Sequence, residues 1–268
     1  DEQVVEILAH VALNLFTNGT LLTARMADEV KDVSPLSVHI SLYAMDAGIH
    51  DRITGTPGSH ARTLAAIEFC RERGINVAVK TPLLKYNVQE FRALKDFAAG
   101  IGASFVFDFI LVPADSGAQP MRQHGLSEDE IFDFLINNAE TASTQSIPAR
   151  PAMSDALCGA GASAVCITPC GEVLPCLAIR QSAGNIRNNT LKDIWTSPVL
   201  DQARNLRYCS LPECRDCEYL AFCSRCSGAA LAECGSMAGK SDGACIVARA
   251  TKHAITSLVE ADRSKHPR

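Results

Sequence analysis

Cysteine residues are concentrated in the second half of this chain. Eleven of the twelve lie between Cys158 and Cys245, and the first half carries only Cys70. Crowded thiols serve either disulfides or metal centres, whereas a lone thiol such as Cys70 usually fills a core. The cysteine-rich half therefore calls for either disulfide or metal chemistry.

Two close pairs stand in the middle of this region. Cys214 and Cys217 are separated by two residues, as are Cys223 and Cys226, and five residues lie between the pairs. Two residues between cysteines strain a disulfide, whereas the same spacing brings two thiolates to one centre. Inside a cell this pattern indicates metal binding or redox chemistry.

The number of thiols allows two centres with four ligands each. A structural zinc ion and a [4Fe–4S] cluster both take four ligands, so spacing alone does not separate them. The seven histidines do not cluster near the cysteines, which favours all-thiolate sites over mixed His/Cys zinc sites.

The residues around the cysteines resemble the SPASM domain that follows many radical S-adenosylmethionine (SAM) domains. The resemblance lies in Cys158-Gly-Ala-Gly161, Cys166-Ile-Thr-Pro-Cys170, Gly171-Glu-Val-Leu-Pro-Cys176, Gly184-Asn-Ile186, Leu191-Lys-Asp-Ile-Trp195, Leu211-Pro-Glu-Cys214, Phe222-Cys-Ser-Arg-Cys226 and Asp242-Gly-Ala-Cys245. In that family the domain holds two auxiliary [4Fe–4S] clusters. The resemblance implies one cluster on Cys158, Cys166, Cys176 and Cys226, and a second on Cys214, Cys217, Cys223 and Cys245.

Some cysteines depart from the family pattern. The family usually has three residues between its last paired cysteines, whereas Cys223 and Cys226 are separated by two. Cys170 is an extra thiol near Cys166, and either could be the ligand. Two further thiols match no family ligand and are interpreted as buried or free, namely Cys209 and Cys234.

Strands alternate with helices in the first half, which predicts a parallel α/β sheet with right-handed crossovers. Strands are predicted at 12–16, 36–42, 75–81 and 104–112, and helices at 3–11, 23–33, 59–73, 88–99 and 128–144. A polar loop is expected between the second strand and the third helix, with His50, Asp51 and Arg52 on its surface. In the second half we expect a hairpin strand at 171–175 and a closing helix at 246–262.

Several segments of this sheet resemble strands three to six of the radical SAM partial (β/α) barrel. They are Leu15-Phe-Thr-Asn-Gly-Thr-Leu-Leu22, His39-Ile-Ser-Leu-Tyr43, His50 to Ser59 and Lys80-Thr81 through Asn87. The resemblance implies cosubstrate contacts at Asn18, Ser41 and Lys80. The alternatives are an ordinary Asn-Gly turn for Asn18, another polar partner for Ser41 and a surface lysine for Lys80.

Two other polar residues lie on predicted strands. His39 is interpreted as a packed imidazole. Asp108 alternates with Phe107 and Phe109, so it faces the opposite side of the strand, where a buried acid would need a partner or a substrate.

The family's cosubstrate cluster is bound by a Cys-x3-Cys-x2-Cys loop after the first strand. The sequence contains no such triplet, because Val173 stands where a third cysteine would follow Cys166 and Cys170. We therefore expect the segment that holds SAM and a third [4Fe–4S] cluster to be absent from this chain. As given, the chain would bind the auxiliary clusters without starting radical chemistry.

The fold class is therefore α/β, with a partial parallel barrel of the radical SAM type followed by a cysteine-rich SPASM domain. The expected division is a barrel over 1–116, a helical connector over 117–150 and the SPASM domain over 151–268. The formal net charge of −5 argues against nucleic acid or an anionic membrane as partner, and no apolar run is long enough to span a bilayer. Dense Cys-x-x-Cys usage without a leader favours the cytoplasm.

The activity implied by the resemblance is that of a maturase of ribosomally made peptides or proteins. Such an enzyme uses a 5′-deoxyadenosyl radical to form thioether or carbon–carbon cross-links, and it needs a reducing electron donor. The alternative from another class is a non-catalytic scaffold with two structural zinc ions. The substrate, the bond formed and the oligomeric state do not follow from the sequence.

Overall fold

The fold was analysed in a computed structural model. It describes residues 11–112, 123–141 and 147–265, and the side chains of the last three of these are not described. The chain divides into two compact units, 1–109 and 110–268. The predicted boundaries at 116 and 150 remain a prediction.

The first unit is built on a four-stranded parallel sheet. The strands follow chain order and are β1 (Asn14–Thr17), β2 (Ser37–Ser41), β3 (Val77–Pro82) and β4 (Ser104–Asp108). Each strand pairs in parallel with the next, which confirms the α/β class and the parallel sheet. The predicted helix at 3–11 lies outside the described residues except for Val11.

Helices cover one face of this sheet. They are α1 (Ala24–Val33), α2 (Ala47–Thr54), α3 (Ser59–Glu72) and α4 (Phe91–Gly100), with a short 3-10 turn at Val88–Glu90. Their apolar side chains pack against alternate residues of β2 and β3, and the core formed in this way includes Val38, Ile40, Val79, Ile67 and Leu94. Cys70 is fully buried in the same core, as predicted. The opposite face of the sheet carries the remaining strand residues.

The polar loop predicted after β2 is wrong over part of its length, because residues 47–54 form helix α2. Asp46 caps this helix by accepting a hydrogen bond from the backbone N–H of Ile49 at 2.8 Å, and Gly55 ends it with a φ of 65°. His50 is 1% exposed, so it is a buried residue and not a surface one. Gly55 marks the C-terminal end of the helix, whereas Gly48 lies within its first turn.

The second unit combines a small sheet with helices. The sheet is antiparallel, in the order β5 (Cys166–Ile167), β6 (Glu172–Leu174) and β7 (Gly184–Asn185). The helices are α5 (Glu128–Asn137), α6 (Leu191–Trp195), α7 (Pro198–Arg204), α8 (Ser227–Cys234) and α9 (Asp242–Lys265). The predicted hairpin strand and closing helix are therefore both present.

Helix α5 packs against the long closing helix α9 within this unit. Ser127 starts α5 with a capping box, in which its hydroxyl accepts from the Glu130 N–H and the Glu130 carboxylate accepts from the Ser127 N–H. Arg249 of α9 then donates to Glu128 at 2.6 Å. Over the described residues, no helix combines the length and apolar character that crossing a membrane requires.

Candidate metal centres

Four cysteines of the second unit line one cavity. Cys214, Cys217, Cys223 and Cys245 surround a space of about 210 Å³. They are the four residues that the resemblance assigns to the second cluster. The structure thus brings together thiols that lie up to 31 positions apart in the sequence.

Local hydrogen bonds hold these thiols in place. The guanidinium of Arg150 donates to the backbone carbonyls of Cys217, at 2.9 Å, and Arg215, and so fixes the loop between Cys214 and Cys217. Cys245 lies in the first turn of α9. There the hydroxyl of Ser241 accepts from the N–H of Ala244 at 3.2 Å. Each thiol is therefore held by a turn or a helix start.

The electrostatics of this cavity disfavour bare thiolates. Burial, followed by repulsion from the nearby Cys245, Cys214 and Cys217, raises the pKa of Cys223 to about 11. Burial also raises the pKa of Cys245, while Lys240 acts to lower it. Four thiolates could share this space only if a cationic centre bound them and took up their charge.

Cationic side chains also surround the cavity. Arg225, Lys240 and Arg249 line it together with Tyr219. Their positive charge opposes the negative charge that four thiolates would bring. The donor set and its surroundings therefore fit an all-thiolate metal centre.

A second group of thiols forms around Cys176. Burial raises the pKa of Cys176, the backbone N–H groups of Ala178 and Ile179 act to lower it, and nearby Cys226 and Cys158 raise it. The sulfur of Cys226 accepts a hydrogen bond from the N–H of Ala229 at 3.4 Å, and so caps the start of α8. Three of the four cysteines assigned to the first cluster are therefore neighbours.

The fourth member of this group remains a prediction. Cys166 lies in β5, opposite Leu174, and burial raises its pKa while Arg180 acts to lower it. Cys170 is exposed in the turn that follows, where its carbonyl accepts from the side-chain amide of Asn185 at 3.0 Å. The geometry leaves both cysteines as candidates.

All twelve cysteines are free thiols. Cys209 and Cys234 were predicted to be buried or free. They are free but exposed, so they are not buried. Within the described ranges, no group of three or more His, Cys, Asp or Glu side chains is placed to hold a metal ion. The fit to a metal centre therefore rests on the chemistry of the thiol donors and not on their present geometry.

The three predicted cosubstrate residues lie in the first unit. Ser41 and Lys80 are direct neighbours in the register of β2 and β3, and both are half-buried. The ammonium of Lys80 lies 5.4 Å from the ring centroid of Phe16. Ser41 and Lys80 therefore point from the sheet face that the helices leave uncovered.

Asn18 follows β1 and is exposed. Its side-chain oxygen accepts from the N–H of Thr20 at 3.0 Å and from the Thr20 hydroxyl at 2.9 Å. Gly19 adopts a φ of 76°, with the Cβ of Ala66 only 3.0 Å from where its own Cβ would stand. This geometry is that of an ordinary Asn-Gly turn, which is the alternative to a cosubstrate contact at Asn18.

His39 and Asp108 share the uncovered face with Lys80. The His39 ring stacks on Phe16 with centroids 4.4 Å apart, and burial, followed by the charge of Lys80, lowers its pKa. Its buried Nδ1 has no hydrogen-bond partner in the described part of the chain. Asp108 is exposed at the end of β4, opposite Pro82. It is therefore not a buried acid.

Arg225 and Tyr208 received no role in the sequence analysis. Burial raises the pKa of Tyr208, and Cys223 and Cys158, one from each cysteine group, act on the same hydroxyl. Tyr208 therefore lies near both groups. Arg225 lies inside a Cys-x-x-Cys pair. A charged residue in that position was the sequence signal that could have identified it.

Comparison with known proteins gives matches in both halves of the chain. The radical SAM superfamily model matches residues 2–98, and the SPASM model, described as an iron–sulfur cluster-binding domain, matches residues 158–218. The second match includes five of the eight cysteines assigned to clusters, namely Cys158, Cys166, Cys176, Cys214 and Cys217, whereas Cys223, Cys226 and Cys245 lie beyond it.

Two curated relatives align with most of the chain. The AdoMet-dependent heme synthase of Methanosarcina barkeri (strain Fusaro / DSM 804) is 26% identical over 251 residues, covering 82% of this chain and 70% of that protein. The antilisterial bacteriocin subtilosin biosynthesis protein AlbA of Bacillus subtilis (strain 168) is 26% identical over 229 residues, covering 79% of this chain and 49% of that protein. The chain thus spans 70% of the length of the first relative and 49% of the length of the second.

A solved structure shares the fold. Native anSMEcpe with bound AdoMet and Cp18Cys peptide aligns with a TM-score of 0.60 at 15% identity, over 94% of this chain and 76% of that one. The resemblance in fold therefore extends over both halves of the chain.

Proposed function

Because the chain belongs to the radical SAM proteins that carry a SPASM domain, we propose that it acts in the radical-based maturation of a ribosomally made peptide or protein. The modification would be a thioether or carbon–carbon cross-link, formed through a 5′-deoxyadenosyl radical. A reducing electron donor would be the second partner. Iron–sulfur clusters and SAM are the cofactors that these two domains imply.

One observation carries this proposal. The cavity of the second unit is lined by the four cysteines that the family pattern assigns to one cluster, Cys214, Cys217, Cys223 and Cys245. The neighbouring group around Cys176 supports a second cluster with Cys158, Cys226 and either Cys166 or Cys170. When bound, such clusters would supply one-electron transfer or a site for a substrate thiolate.

The first unit would contribute the sheet face that binds the cosubstrate. Lys80 offers a cation for a carboxylate, and Ser41 offers a hydroxyl beside it in the strand register. Asn18 would contribute through the turn after β1, at the carboxyl end of the strand, where parallel sheets bind ligands. The rings of Phe16 and His39 would limit access of water to Lys80 from one side.

A peptide substrate is favoured by two of the similar proteins. AlbA is named for bacteriocin biosynthesis, and the anSMEcpe structure contains a bound peptide. The heme synthase of Methanosarcina barkeri is equally similar in identity, so a tetrapyrrole is the second candidate substrate. The zinc scaffold is less consistent with a chain whose first half matches the radical SAM model and whose second half matches an iron–sulfur cluster-binding model.

The direct test of this function uses the intact protein that contains this chain, prepared anaerobically. With SAM, a reductant and the precursor peptide encoded beside its gene, we expect 5′-deoxyadenosine and a loss of two hydrogens from the peptide by mass spectrometry. A peptide that stays unmodified while a tetrapyrrole is converted would contradict the peptide proposal. A chain of 268 residues alone that formed 5′-deoxyadenosine rapidly would contradict the expectation that it lacks the cosubstrate cluster.

A further inference from the structure

Arg225 stands between the two cysteine groups. It follows Cys223, which lines the cavity of the second group, and precedes Cys226, which belongs to the first. Its own side chain lines the same cavity as Cys223. Because Cys223 and Cys226 flank Arg225 in the sequence, its guanidinium is held close to the thiols.

Most donors of this guanidinium are already used. Nη2 donates to the backbone carbonyl of Met237 at 2.5 Å and to that of Gly239 at 2.6 Å, while Nη1 donates to the hydroxyl of Ser227 at 3.1 Å. These three contacts hold the planar group in one orientation. They also join it to the segment that leads into α9 and Cys245.

The Nε–H of Arg225 is buried and has no acceptor among the described residues. A buried donor without an acceptor is unfavourable, so native proteins seldom leave one unmatched. Because the side chain lines the thiol cavity, an acceptor bound in that cavity would satisfy this donor. Sulfur atoms that carry negative charge are such acceptors.

The other two cations that line the cavity are engaged elsewhere. The Nε of Arg249 donates to Glu128 at 2.6 Å, and the ammonium of Lys240 lies 3.5 Å from Asp242. Arg225 therefore differs from both in having a fixed orientation and an unmatched donor.

We propose that Arg225 is a positioning residue that donates a hydrogen bond from Nε to a sulfur atom of the cluster held by Cys214, Cys217, Cys223 and Cys245. This inference rests on the proposed cluster at that site. A hydrogen bond to a cluster sulfur stabilises the more negative, reduced form, so Arg225 would raise the reduction potential of this cluster.

The first test uses the unsubstituted chain labelled with ¹⁵N-arginine and reduced anaerobically. Pulsed EPR should detect an arginine ¹⁵N coupling and a proton coupling that is lost in D₂O. In Arg225→Lys, which keeps the positive charge, both couplings should disappear from the second cluster and its reduction midpoint should become more negative. Iron and sulfide per chain should stay unchanged.

Ser227→Ala is the matched control, because it removes a partner of Nη1 and leaves Nε untouched. We expect it to keep the couplings and the midpoint of the unsubstituted chain. If the unsubstituted chain gives a cluster EPR signal without the arginine coupling, the proposed role of Arg225 is overturned while the proposed cluster is not. An absence of iron, sulfide and EPR signal in that chain would overturn the cluster itself and with it the proposed function.

Discussion

At the scale of single residues, Cys223 is the thiol whose protonation is most strongly affected by its surroundings. Burial and three neighbouring cysteines raise its pKa to about 11. A metal centre would lower this pKa by taking up the charge of the thiolate. Its contribution to cofactor binding can therefore be tested directly.

Replacing Cys223 by alanine should remove one of two clusters. We expect iron per chain to fall from about eight to about four, because each [4Fe–4S] cluster needs its four protein ligands. The measurement is iron and sulfide analysis of anaerobically reconstituted protein. Cys234→Ala is the control, since this exposed thiol lies outside the cavity, and it should retain the full iron content.

His50 gives a prediction about pH. Burial, followed by the charge of His60, lowers its pKa to about 4, and its Nδ1 accepts a hydrogen bond from the N–H of Tyr43 at 3.2 Å. The unfolded chain, with a histidine pKa of about 6.5, binds the proton first as the pH falls. Stability from this site should therefore be present above about pH 6.5 and be lost between about pH 6.5 and 4.

The measurement for His50 is an NMR titration of the histidine ring signals. We expect the ring of His50 to remain neutral at pH 5, because burial and the charge of His60 lower its pKa to about 4. A His50 that titrates near its ordinary value would show that the ring is accessible to water or has another partner.

The sequence predicted the chemistry of single residues only where their spacing was diagnostic. The Cys-x-x-Cys pairs contain three of the four cavity cysteines, because spacing in the chain carries over to spacing in a turn. The fourth, Cys245, was assigned only through the family resemblance. Spacing gave no reason to choose between Cys166 and Cys170, and the sequence placed His50 on the surface. Burial of a polar residue depends on distant contacts, here with Tyr43 and His60, which no local pattern shows.

At the scale of elements, the start of α8 carries the tightest constraint in the first cysteine group. Gly228 lies two residues after Cys226 and packs against Ala178, which lies two residues after Cys176. A Cβ at Gly228 would stand 2.4 Å from the Cβ of Ala178 and 2.5 Å from its backbone carbonyl. The helix can approach the Cys176 loop this closely only with glycine at this position.

Gly228→Ala should therefore separate Cys226 from Cys176. We expect iron per chain to fall towards about four, because the first cluster would lose a ligand while the second keeps its own. Gly100→Ala, in helix α4 with nothing within 4 Å of the added methyl, is the control and should leave the iron content unchanged. Full iron content in Gly228→Ala would argue against a cluster between Cys176 and Cys226.

Elements with a regular apolar pattern were the most predictable from sequence. Alternation in β2 and helical spacing in α3 identified both, because one face of each is buried in the core. Helix α2 was missed because it has only eight residues, contains Gly48 and ends at Gly55, so its pattern was too brief to separate from a loop. Its stability depends on the Asp46 cap and on the burial of His50.

At the scale of the whole molecule, we infer that the two compact units have different tasks. The first unit provides a sheet whose Ser41 and Lys80 lie on the face opposite helices α1 to α4, and the second provides two groups of thiols. Similarity to radical SAM and SPASM models in the corresponding halves agrees with this division of tasks. The sequence could predict both halves because each contains a family pattern. The domain boundaries that it predicts at 116 and 150 stay a prediction, because residues 113–122 have no comparable sequence pattern.

The central claim is that the thiols of the second unit hold two iron–sulfur clusters. The most direct measurement is quantitative iron, sulfide and zinc analysis of the chain purified without oxygen, combined with Mössbauer spectroscopy. The account predicts about eight irons and about eight sulfides per chain, all in [4Fe–4S] clusters. A colourless protein with about two zinc ions and no sulfide would contradict it.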